Sequence, residues 1–278
     1  MKKLSKLSKV VLSLGVVAAL GLSVASADVI ISSGEKSKSF NQMAERITQI
    51  INRKDIVNIT SKGSLENIDN LISNKAQVGL AFADSFMYKK ASDPRAEELK
   101  IVGTLGKGCL YTVAKKGGKI SDSGDLEKTG VIVDPGKAGA GANTTWAYLG
   151  DLDSDFKKPT VMNIGGDMGL GAVISGQTDA MLQMQHPSIG NNLVKDVLAS
   201  KDLKFVPMKN WSFNSKLPNG KAVYTKETIK LEDSFIGGTI DTICTDTLVL
   251  TNENVSDDDM DLIAGIILRN QKVILGEK

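Results

Sequence analysis

Four short segments place glycine or small polar residues directly ahead of a predicted helix: residues 33–39, Gly63-Ser64, residues 139–143 and residues 165–167. Such loops leave the first backbone amides of the helix free, at the positive end of its dipole. That chemistry suits a carboxylate or an oxoanion. Four such mouths favour an anionic or zwitterionic ligand. Signals for catalysis are thin by comparison. His186 is the sole histidine, so no two-histidine metal site can form, and no G-x-S-x-G elbow is present. His186 follows an apolar stretch and precedes Pro187, and it reads either as a ligand contact or as a structural residue. Met181, Met184 and His186 could suggest copper, but strand alternation puts the two methionines on opposite faces, which favours packing. The glycine loop 136–141 lacks the G-K-[ST] ending, and its spacing fails the dinucleotide fingerprint. No cofactor and no metal are expected.

The mouths need elements to hold them. Residues 63–85 read as one unit. Ser64 is a natural N-cap, and Leu65, Ile68, Leu71 and Ile72 recur at helical spacing. Ser73-Asn74-Lys75 breaks the helix, and residues 78–82 form an apolar run of parallel-strand type. Asp84 and Ser85 then stand just past the strand's carboxyl end, where open α/β sheets bind ligands. A similar helix, small-polar break and apolar strand recur over residues 168–182, with Gln183 to His186 at the strand's exit. Two copies predict two similar α/β lobes with mostly parallel sheets, hinged, and with a ligand cleft between them.

In chain order, strands are expected at 29–32 and 56–60, with a helix over 40–51 between them. A short helix follows at 88–99, broken by Asp93-Pro94. Strands at 99–105 and 109–114 flank Gly106-Lys107-Gly108, and the first crossing between lobes is placed near 112–118. The second half offers a strand at 130–134, a helix at 143–149, a strand at 160–164 and a helix at 187–199. An irregular stretch at 211–228 precedes a long β-rich stretch at 239–250. Asp257-Asp258-Asp259 complements the start of a last helix, with Ser256 as its cap. Lobe 1 is thus expected over 28–112 plus about 225–278, and lobe 2 over 113–224.

The first 27 residues read as a secretory signal: four lysines, a mostly apolar stretch, then Ala25-Ser26-Ala27, with cleavage after Ala27. Removing those four lysines from the 34 basic residues leaves 30 against 32 acidic ones, a formal charge of −2. This removes any charge argument for nucleic acid, and no basic stripe with interleaved aromatics is seen. An exported chain without an anchor fits a Gram-negative periplasm. Cys109 and Cys244 both fall in predicted strands. In an oxidising compartment they could pair, or they could be two buried small residues.

Taken together, residues 63–67, the strand 76–85 with its exit, the loop 136–141, residues 174–180, His186-Pro187, and the stretches 224–229 and 241–249 resemble the TAXI group of solute receptors for TRAP transporters, within the type II periplasmic solute-binding fold. The resemblance implies a hinged, monomeric receptor, not an enzyme, that closes on an amino acid or organic acid and hands it to membrane permease subunits. It implies cleft contacts from Ser33 through the loop to Phe40, from Gly63 and Ser64, and from Asp84 or Ser85. The other lobe would offer Gly139, Gly141 and Asn143, with Gln183 and His186. The family's first loop is glycine-rich with paired tyrosines; here it holds one glycine, then Phe40-Asn41. Lys36 and Lys38 either supply positive charge there or are solvated loop lysines. Two other readings use the same fold: a sensor module presenting solute to a membrane kinase, and a periplasmic enzyme with Asp84, Asp167 and His186 as its candidate acids and bases.

Overall fold

The computed structural model describes residues 29–187, 192–208, 211–231 and 238–277. The expected signal segment and cleavage point lie outside them, as does part of the helix expected at 187–199. The chain begins with β1 (Val29–Ser32), α1 (Ser39–Ile51), β2 (Ile56–Ile59), α2 (Ser64–Ile72), β3 (Val78–Phe82) and α3 (Ala83–Ser92). β1 pairs in parallel with both β2 and β3. Helix α1 forms because Phe40, Met43, Ala44 and Ile47 recur on one face and bury there. Asn52 ends it in a left-handed conformation (φ 53°).

The long strand β4 (Lys100–Lys115) comes next, followed by β5 (Ile132–Asp134), α4 (Gly141–Leu152), β6 (Thr160–Val161), α5 (Gly166–Ser175) and β7 (Ala180–Gln185). The chain closes with α6 (Asn192–Ala199), β8 (Leu203–Phe205), β9 (Tyr224–Lys230), β10 (Thr239–Thr251) and α7 (Asp257–Leu275). β5 runs parallel to β6 and β7, repeating the arrangement around β1. One sheet joins everything, in the order β2-β1-β3-β10-β4-β7-β5-β6, with β8 on β4 and β9 on β10.

β4 and β10 are the shared members. β4 pairs with β10 over its first half and with β7 from Cys109 onward. The sequence predicts two strands here with a turn at Gly106-Lys107-Gly108. The structure has one. Gly106 takes a left-handed conformation (φ 63°), and β4 gains one residue relative to β10 between the pairs Lys107–Asp246 and Thr104–Leu248. A glycine bulge therefore absorbs the bend and the strand continues. The partner switch at Cys109 falls a few residues before the crossing expected at 112–118. Residues 224–228, expected as the end of an irregular stretch, belong to β9 because β10 offers a long edge to pair with. The short helix expected at 88–99 begins earlier, at Ala83, directly after β3.

Three apolar clusters fill the molecule. One lies under α1 and α7, one between α2, α3 and α4, and one around β7, α6 and the β4–β10 crossing. Ser256 caps α7 by accepting from the Asp259 amide at 3.1 Å, as the acid run suggests. Among the described residues no helix is long and apolar enough to cross a membrane.

Cys109 and Cys244 face each other across the β4–β10 register and form a disulfide, both side chains buried. The bond closes a span of 135 residues. Loop-closure entropy for a span of that order makes it worth about 3–5 kcal/mol. Replacing both cysteines by serine is therefore expected to lower the urea unfolding free energy by about that amount. Reductant should destabilise the native protein similarly and leave the double variant unchanged.

Candidate functional site

The carboxyl ends of β1, β3, β5 and β7 open toward one another, and a cleft of about 930 Å³ lies between them. The amino ends of α1, α2, α4 and α5 reach it, and Asn192 and Leu193 of α6 join the wall. Ser39 and Phe40 of α1, Ser64 of α2, and Gly141 and Ala142 of α4 line its wall. The residues preceding these helices are Lys38, Gly63 and Ala140, none of which caps with its side chain. Among the described residues, the amides of Ser39, Phe40, Ser64, Gly141 and Ala142 meet no protein acceptor, and each mouth carries the positive end of its helix dipole.

The loops entering α1 and α4 are held in the same way. The Ser37 amide donates to Asn41 Oδ1 at 3.2 Å, and the Gly139 amide donates to Asn143 Oδ1 at 3.1 Å. Ser37 (φ 67°) and Gly139 (φ 81°) both adopt left-handed backbone. An asparagine in the first helical turn thus clips the preceding loop on each side of the cleft and leaves the mouth open.

The α2 mouth is fixed by Asn67, whose side chain is fully buried. Its Oδ1 accepts from Ser32 Oγ at 2.7 Å and Ser61 Oγ at 2.6 Å. Its amide nitrogen donates to the carbonyls of Leu80, at 2.6 Å, and Ser33. One side chain therefore ties the ends of β1 and β3 to the loop before α2. Gly63, with φ 129°, adopts a backbone that a side chain would oppose.

The floor is aromatic and apolar. The Phe40 and Phe82 rings lie 4.7 Å apart, and Met43 and Met184 stand beside them. Phe82 rests on glycine: a Cβ on Gly108 would stand 2.1 Å from its ring, and one on Gly141 would stand 2.7 Å away. These contacts bring α4 down onto the first half of the molecule. At the rim, Lys137 Nζ lies 3.7 Å from Glu35 Oε1, joining the loops before α4 and α1.

Of the residues singled out from sequence, Lys38, Phe40, Gly63, Ser64, Gly141, Gln183 and His186 line this cleft together. Ser64 does so with its hydroxyl occupied, since Oγ accepts from the Phe82 amide at 3.1 Å. Gly34, Glu35, Ser37 and Ser39 of the expected contact loop line it as well, as do Asp167, Met181 and Met184. The remaining expected contacts sit outside the wall. Ser33 is buried and donates to the Ile59 carbonyl. Lys36 is exposed on the loop. Gly139 and Asn143 are used in the clip described above, and Asn143 also donates to Asn163 Oδ1 at 2.8 Å.

Asp84 and Ser85 fall in the buried first turn of α3. Asp84 accepts from Thr145 Oγ1 at 2.5 Å, from Tyr224 Oη at 3.1 Å and from the Ser85 amide at 2.6 Å. Burial pushes its carboxyl above the ordinary carboxylate range, and the same burial, with Asp84 adjacent, pushes the Tyr224 hydroxyl well above 10. Asp84 thus ties α3 to α4 and β9. Lys62, Phe82 and Lys137 belong to the wall and were not expected as contacts from sequence. Lys62 and Phe82 had a legible signal, flanking Gly63 and closing an apolar strand.

His186 leaves β7 and packs on the bulge. Its Nε2 lies 2.8 Å from where a Cβ on Gly106 would stand, and 3.8 Å from Glu277 Oε1. Burial lowers its pKa below the ordinary 6.5, and Glu277 offsets this in part. The unfolded chain therefore takes up this proton first as pH falls. Stability is expected to drop from about pH 6.5 downward to the lowered native value. His186→Asn should remove that part of the slope in urea titrations across pH 4–8. Separately, Asn67→Ala leaves buried hydroxyls and carbonyls unpaired and is expected to cost about 2–4 kcal/mol in the same measurement.

A family model described as the NMT1-like family matches residues 32–275. No curated protein matches the chain. Solved structures match over most of its length. A phosphate transport receptor from Vibrio cholerae is 14% identical, covers 89% of this chain and 98% of its own, and superposes with a TM-score of 0.53. YhfZ from Shigella flexneri is 13% identical, with coverage of 91% and 92% and a TM-score of 0.54. A putative binding component of an ABC transporter from Wolinella succinogenes, complexed with lysine, is 13% identical, with coverage of 90% and 94% and a TM-score of 0.50. At these identities the likeness is one of fold, and the fold is that of the type II periplasmic binding proteins.

Proposed function

The chain belongs to the NMT1-like family, and we propose that it is a periplasmic solute-binding receptor for a small anionic or zwitterionic solute, an amino acid or organic acid. The observation that carries this is the convergence of three uncapped helix mouths on one cleft, α1 and α2 from one side and α4 from the other. A negative group placed there would accept several main-chain hydrogen bonds at once, without titratable side chains. The aromatic floor would take the apolar body of the solute. One of the fold relatives is a phosphate transport receptor and another is complexed with lysine, and both solutes are small and charged, in keeping with this reading.

In this reading the two lobes, residues 28–112 with about 225–278 and residues 113–224, close on the solute as hinged bodies. The pivot would lie where β4 and β10 exchange partners, at Gly106–Cys109 and Cys244–Thr247. The filled receptor, a monomer, would deliver its solute to the membrane subunits of a TRAP-type transporter. That step rests on the sequence resemblance to the TAXI receptors.

The test is a thermal-shift screen of residues 28–278, unfolded and refolded to strip carried-over solute. The panel holds amino acids, di- and keto-acids, sulfonates and small oxoanions. A true ligand at about a hundredfold its dissociation constant should add roughly 2.7 kcal/mol of stability. A flat response across the panel would overturn the solute class.

A further inference from the structure

The mouth of α5 differs from the other three. Asp134, the last residue of β5, has a fully buried side chain. Its Oδ1 accepts from the Gly136 amide at 3.0 Å and the Ile164 amide at 3.0 Å. The Gly165 amide reaches both oxygens, at 3.2 and 2.9 Å. Among the described residues no cation pairs with this carboxylate. A Cβ on Gly169 would stand 2.5 Å from Asp134 Oδ2, so the first turn of α5 sits directly on it. Gly136, Gly165 and Gly166 line the cleft above it, and Asp167, also in the wall, adds a second carboxylate to the same turn. The first turns of α1 and α4 carry no acid.

We propose that Asp134 is a built-in anion: its carboxylate occupies the backbone nest at the α5 mouth, and so confines the negative group of the solute to the α1, α2 and α4 mouths. The solute would then carry one anionic end, and the end toward α5 would be neutral or cationic. This specificity role rests on the receptor reading. The occupied nest itself does not. Three amides from two loops converge on the carboxylate, as they would on a bound oxoanion. It also sets the spacing of loops 135–140 and 164–166, so it is a positioning residue as well.

The experiment is chemical rescue. Asp134→Ala removes the carboxylate and leaves its amides facing a cavity. In thermal melts at matched ionic strength, replacing chloride with formate should raise the melting temperature of Asp134→Ala by roughly 2–4 °C more than that of the native protein. Equal increments in the two proteins would overturn the built-in anion. Succinate, which has a second carboxylate to place, should likewise stabilise the variant more than the native protein. Equal succinate increments alongside successful formate rescue would overturn the specificity role and leave the occupied nest standing. If Asp134→Ala does not fold, amide exchange in the native protein decides. Slow exchange at Gly136, Ile164 and Gly165 is expected, and exchange at loop rates would sink the proposal. A flat solute screen with intact formate rescue would count against the receptor reading alone.

Discussion

Two antiparallel strands, β4 and β10, carry everything else. Each spends part of its length in one half of the molecule and part in the other, so every helix mouth is placed relative to this pair. The bulge at Gly106 lets β4 bend without losing its ladder, and the buried disulfide keeps the two strands in register where partners change. His186 from β7 and Leu275 from α7 both pack against that glycine. The floor depends on the same place, since Phe82 can lie flat only because residue 108 has no side chain.

From this spine the two halves meet by different means at different depths. At the rim, Glu35 and Lys137 form an exposed pair, which contributes little in water. Midway, the loops before α2 and α4 come within van der Waals reach: a Cβ on Gly63 would stand 3.7 Å from the Gly139 carbonyl. Deepest, Asp84 joins α3 to α4 and β9 through hydroxyl groups. The contacts become drier and more directional toward the spine, and their energetic weight rises in the same order.

Local pattern made the helix and strand at 63–82 legible, along with the mouths of α1, α2 and α4, the cap on α7 and the parallel order of the first three strands. Each rests on neighbours within a few residues. What the sequence did not reveal depends on distant partners. Gly106-Lys107-Gly108 has the composition of a turn, but pairing with β10 on one side and β7 on the other holds it extended. Asp84 looked like a cleft residue because it follows a strand. Thr145, 61 positions away, and Tyr224, 140 away, bury it instead. Asp134 read only as the end of a strand, because its three donors come together through the packing of α5.

The asparagine clips before α1 and α4 have a consequence for how this cleft can change over generations. They hold loop shape with one side chain each and, in the proposed receptor, would leave the capture of charge to main-chain amides. Point mutation can replace any side chain, but it deletes an amide N–H only by introducing proline. In that reading the floor and rim residues could drift without erasing the capacity to hold an anion. Such a receptor could acquire a new solute by small steps, each intermediate retaining a working grip.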